Sequence, residues 1–120
     1  MSPGQVLKHC SESIQMSMDG YPAMKSEVFR STLGKVASWL FLNLGVMFHS
    51  LDDPIPGADE MGPVSLAEGV KALRGSVEAF RRFDKALKPH FAYGDLSKSN
   101  YEKVHAMHVA NHLEGLVLNP

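Results

Sequence analysis

The stretch Tyr101-Glu102-Lys103-Val104-His105-Ala106-Met107-His108-Val109-Ala110-Asn111-His112-Leu113-Glu114-Gly115-Leu116 holds three of the six histidines in a chain of 120 residues. Read as a helix at about 100° per residue, it places Tyr101, His105, His108, His112 and Leu116 within about 80° of one another. A stripe that includes a tyrosine and a leucine is expected to face a core. A buried imidazole has two nitrogens to satisfy, and an unsatisfied polar group costs a few kcal/mol. A divalent cation satisfies several rings together, since neutral imidazole is the commonest metal ligand. The competing readings are a solvated cleft or a helix that turns its histidines toward a partner.

Spacing narrows the ligand set. His105 and His112 are seven residues apart, about 10 Å along the axis. That is too far for two ligands lying about 2.0–2.1 Å from one metal. Two helical pairs remain feasible, His108 with His112 and His105 with His108. His108 belongs to both. A further ligand must come from another element; His9 is the leading candidate, with His49 and His90 in reserve. Val109 follows His108, so the His-Glu-x-x-His pattern of zinc proteases and its built-in general base are absent.

The rest of the chain also reads as helix. Ser2, Pro3 and Gln5 form a helix start with a capping box. The first helix is expected over Pro3–Asp19, stopped by Gly20, with Leu7, Cys10, Ile14 and Met18 as its apolar stripe. His9 lies off that stripe and reaches a site only if this helix is buried on two sides. A second helix, Ser26 to Phe48, is apolar on more than one side, so it is expected to be central or to contact another subunit. A Pro/Gly/Asp-rich crossover loop spans Ser50 to Val64. Ser65-Leu66-Ala67-Glu68 is a second capping box, opening a third helix whose core positions are Leu66, Val70, Leu73, Val77 and Phe80. That helix ends before Pro89. After a loop from His90 to Leu96, Ser97 caps the fourth helix and Leu96 staples onto Tyr101. Nothing reads as a strand. The expected fold is all-α, a four-helix bundle with one long crossover, in a single domain over residues 1–120.

Composition excludes several classes of function. With 44% apolar and 21% charged residues the chain is an ordinary globular sequence rather than a disordered one. The net charge of -1, without a basic stripe, gives nucleic-acid binding no electrostatic support. The most apolar segment, Val36 to Phe48, is shorter than the roughly 20 residues of a bilayer span and lacks the Lys/Arg-rich face of a membrane-surface helix. No membrane partner is expected. Cys10 is the only cysteine, so no internal disulfide forms. Its place on an apolar stripe marks it as a buried, inert thiol. There is no signal-peptide pattern, and the expected location is the cytoplasm.

Two stretches resemble a known family. Gln5-Val6-Leu7-Lys8-His9-Cys10-Ser11-Glu12-Ser13-Ile14 is similar to the segment of DinB/YfiT-like metalloenzymes that carries their first metal histidine. His90-Phe91-Ala92-Tyr93-Gly94-Asp95-Leu96-Ser97, with His105, His108 and His112 after it, resembles the closing segment of a domain-of-unknown-function branch of that superfamily. The resemblance implies a four-helix bundle, frequently a homodimer, with His9, His108 and His112 binding zinc, nickel or iron. It leaves His105 beside the metal as a supporting or substrate-facing residue. It also implies that the family's usual first helix is missing here, since Met1 stands directly ahead of the His9 segment. Asn111 stands where that branch often has a further histidine.

Three neutral histidines leave open positions on a metal, as a catalytic site requires. The expected function is therefore a metal-dependent enzyme acting on an unknown small molecule; the resemblance suggests a thiol-dependent transferase or a hydrolase. Glu12, one turn from His9, and His105 are candidate acid–base groups, and Tyr101 is a candidate hydrogen-bond donor at the mouth of the site. The alternative is a non-catalytic metal- or ligand-binding helical dimer, which the broad apolar surface of the second helix supports.

Overall fold

The computed structural model describes residues 1–44, 55 and 61–118. It is an all-α bundle, with α1 at Pro3–Asp19, α2 at Glu27–Ser31, α3 at Leu33–Leu44, α4 at Leu66–Arg82 and α5 at Lys98–Leu118. Among the described residues there is no strand, only a single β-bridge between His90 and Gly94. The end of the expected second helix, His49 and most of the crossover lie outside the described residues.

Local chemistry sets the helix ends. Ser2 accepts from the Gln5 N–H while the Gln5 amide oxygen accepts from the Ser2 N–H, closing the expected box at the start of α1. At the other end Gly20 takes φ +111, a region L side chains rarely adopt, and its N–H closes on the Met16 carbonyl. Ser65 and Glu68 form the same reciprocal cap on α4. The Ser97 hydroxyl accepts from the Asn100 N–H at the start of α5.

The central helix is α1. It packs along α4 and crosses α5, while among the described residues no Cα of α4 comes within 8 Å of a Cα of α5. Small residues make the α1–α4 contact close. A Cβ on Gly4 would lie 2.2 Å from the Val64 carbonyl oxygen, and one on Gly69 would lie 2.6 Å from that of Gly4. Farther along, the Ser11 hydroxyl donates to the Ala72 carbonyl (2.9 Å) and meets the Ser76 hydroxyl at 2.6 Å. Buried polar groups are thus paired across the seam. Beyond it, Ile14, Met18, Phe80 and Tyr101 form the core cluster, with Leu73, Phe83, Leu87 and Leu96 packed against it.

Two expectations need correction. The helix expected from Ser26 to Phe48 breaks at Thr32, whose φ and ψ are -116° and -92°. The Thr32 hydroxyl turns back to the Val28 carbonyl, and Gly34 then lets the Ala92 carbonyl of the 90–94 loop approach where a Cβ would sit 1.8 Å away. Nor is this segment central among the described residues, since only Gly34 and Ser38 of α3 are buried. The second correction concerns α4. It turns Gly69, Ser76 and Phe80 inward, while Leu66 and Val77 of the predicted stripe are 58% and 42% exposed.

Candidate metal centre

His9 sits midway along α1 and is 5% exposed. Burial of α1 on two sides resolves its offset from the Leu7–Ile14 stripe, because α4 covers one face and α5 crosses another. From α5, His112 is 2% exposed and His108 is half-buried. The Nε2 atom of His108 lies 3.2 Å from that of His9 and 3.2 Å from that of His112. The three rings meet edge to face, with centroids 4.8–5.1 Å apart. One nitrogen of each ring falls within 4.8 Å of the other two.

The donor set fits a divalent ion. Two nitrogens each about 2.05 Å from one ion, at a tetrahedral angle, are about 3.3 Å apart. An imidazole nitrogen has one in-plane bonding direction, so His108 Nε2 can satisfy only one of its two neighbouring rings at a time. A cation that accepts all three lone pairs removes the conflict. Of the two pairs that spacing allowed, the structure selects His108 with His112.

The other sequence-predicted residues lie elsewhere. His105 is 6% exposed, stacks on Tyr101 (5.3 Å) and meets the edge of Phe80 (5.2 Å). Its Nε2 lies 3.0 Å from the Ser17 hydroxyl, which donates to the Ile14 carbonyl at 2.6 Å. Ser17 thereby spends its one proton, so His105 is the donor and its Nδ1 is left as a buried lone pair without a hydrogen bond. Burial holds the ring neutral, pushing its pKa down to about 4. Tyr101 is fully buried rather than at a mouth, and its hydroxyl donates to the Lys88 carbonyl at 2.6 Å. Glu12 is half-buried one turn beyond His9, and its carboxylate is not in the three-ring group.

His90, a reserve ligand, has a different role. Its Nδ1 accepts from the N–H groups of Ala92 and Tyr93, both at 3.1 Å, and its ring stacks on Tyr93 at 4.3 Å. Burial first, then the charge of Lys35 and the charge that His105 acquires only when it is itself protonated, push its pKa down to about 3. The Cys10 thiol is 1% exposed and burial raises its pKa to about 11, which keeps it protonated.

Sequence reading missed Ser17, whose signal was a hydroxyl inside an apolar stripe. It also gave no contact for Asn111, whose Oδ1 is buried without a hydrogen bond. Among the described residues no helix is long and apolar enough to cross a membrane. No curated protein and no solved structure is found to match the chain. Over residues 2–119 it matches the family described as protein of unknown function (DUF1569), and to that family the chain belongs.

Proposed function

We propose that His9, His108 and His112 hold one divalent cation and that the protein is a metal-dependent enzyme acting on a small molecule. The observation that carries this reading is the convergence of three ring nitrogens from two helices, with His108 Nε2 at 3.2 Å from each of the other two. On this reading the family is a branch of the DinB/YfiT-like superfamily, and the reaction is a thiol-dependent transfer or a hydrolysis. Zinc and nickel suit an all-imidazole donor set, and iron is the next choice. Bound there, the cation supplies a Lewis acid with an open coordination position.

The chain's own residues supply the remainder. His9 fixes the site to the central helix, and the i,i+4 pair on α5 sets the separation of the other two nitrogens. Glu12 lies one turn along from His9, where a carboxylate can take a proton from an incoming water or thiol. His105 and Tyr101 support the site by holding α5 against α1 and the Lys88 segment.

The test is elemental analysis of untagged protein. About one metal ion per chain is expected, and His108→Ala should lose it. In chelated protein, metal restored to a hundredfold excess over its Kd should add about 2.7 kcal/mol of stability, and His108→Ala should show no rise. Unmetallated wild type with no such rise overturns the reading. Loss of thiol-transfer or hydrolytic turnover in Glu12→Gln, with metal retained, supports the enzyme. Bound metal without any turnover leaves the non-catalytic binder.

A further inference from the structure

His105 carries a polar atom that the three-histidine site does not use. Its Nδ1 is a buried acceptor without a hydrogen bond, because the Nε2 proton goes to Ser17 and the Ser17 proton goes to the Ile14 carbonyl. A buried lone pair left unmatched destabilises the fold that holds it. The same ring lines a groove of about 690 Å³. Ile14 of α1 floors this groove, Val77 and Phe80 of α4 form one wall, and Val109 and Leu113 of α5 form the other. All three helices are described over the whole of that lining. A groove of this size, apolar with few polar groups, is of the kind that holds a small molecule.

The lining restricts what fits. An ordered water needs about three polar partners, and the floor and walls around His105 are aliphatic and aromatic. A carboxylate or phosphate would set its own lone pairs against that of Nδ1. A cation would lose its hydration against apolar walls. The charged members of the lining, Arg81 and Glu102, are both exposed and of opposite sign, so together they select no ion.

We propose that the groove binds a neutral apolar small molecule carrying one hydroxyl, of the phenol class, whose O–H donates to His105 Nδ1. Nδ1 is buried as the ring stands, so the ring turns slightly about its Cβ–Cγ bond to meet the hydroxyl as the ligand enters. His9, His108 and His112 are not among the residues lining the groove, and the site does not depend on a cation there.

The test uses two probes of one shape, 2-naphthol and 2-methylnaphthalene, of which only the first has a donor. Calorimetry on chelated full-length protein should show one 2-naphthol bound per chain. His105→Gln keeps an N–H for Ser17 and removes the Nδ1 acceptor. It should weaken 2-naphthol about tenfold and leave 2-methylnaphthalene within about twofold. Val77→Trp, at a position 42% exposed, fills the groove from the α4 wall; it should weaken both probes while keeping the wild-type circular dichroism. Independently of any variant, the imidazole ¹⁵N resonance of His105 Nδ1 in wild type should shift with 2-naphthol and stay in place with 2-methylnaphthalene. No saturable 2-naphthol binding overturns the proposal, and so does binding that Val77→Trp leaves intact. An Nδ1 resonance that ignores 2-naphthol, or a His105→Gln variant that treats both probes alike, overturns the assigned hydrogen bond. Binding that appears only when metal is restored places the phenol on the cation and overturns the separate site.

Discussion

Set α1 beside α3. The first buries Gly4, Ser11, Ser13 and Ser17 along with its apolar side chains. The second is rich in leucine, valine and tryptophan, yet only a glycine and a serine of it are buried. Burial in this chain follows how closely two backbones can approach rather than how apolar a helix is. At the α1–α4 seam, glycine meets glycine backbone and hydroxyl meets hydroxyl, so two helices close to a distance that larger side chains would forbid. The ridge of α3 meets no such seat within its own chain among the described residues.

The largest expected effect breaks the seam. Gly4→Val places atoms where the Val64 and Ser65 carbonyls already lie, so the backbones must part at a cost of about 3 kcal/mol or more. Leu33→Ala, at a 66% exposed position, should cost less than about 0.5 kcal/mol in dilute protein. Denaturant unfolding of the two variants measures the contrast, and equal losses would sink the comparison.

Lower pH gives the next effect. His90 and His105 fold neutral with pKa values of about 3 and about 4, against 6.5 for the ordinary ring. The unfolded chain takes up protons below pH 6.5 and the folded chain does not, so their contribution is complete above that pH. It falls toward pH 4 for His105 and toward pH 3 for His90, by about 1.4 kcal/mol per pH unit per ring. His90→Asn keeps an acceptor for the loop N–H groups. In chelated protein it should reduce the slope of stability between pH 6 and 5 by one ring's share.

The smallest effect sharpens the account of the seam. Because Ser11 donates to Ala72, Ser76 must donate to Ser11. Ser76→Ala then removes one buried hydrogen bond and leaves no orphaned donor, for a loss of about 1 kcal/mol. A thermal melt resolves a change of that size.

Much of this was legible in the amino-acid order, for physical reasons. Capping boxes and Gly20 act through neighbours a few residues away, so the bounds of α1 and the starts of α4 and α5 could be read directly. The histidine stripe obeys helical geometry alone, and it led to His108 and His112. At the break the Thr32 hydroxyl turns back on Val28, and Gly34 was its one local hint; the approach of the Ala92 carbonyl to Gly34 joins residues far apart in the chain and could not be read from the sequence. The inward face of α4 was misread because Gly69 and Ser76 earn burial through contact with α1, while periodicity counts only large apolar residues. Tyr101 was placed on the right stripe, but the destination of its hydroxyl depended on where Lys88 would lie.

The chain that joins α4 to α5 is held at several points. The Lys88 N–H donates to the Ser17 carbonyl, Tyr101 donates to the Lys88 carbonyl, and the Lys98 ammonium reaches the carbonyls of Arg81 and Phe83. This arch is anchored to α1 and spans two helices whose backbones stay apart, so it acts as a spacer with a set length. The walls it separates are therefore held in register in advance, and little ordering entropy is left to lose when the space between them is filled.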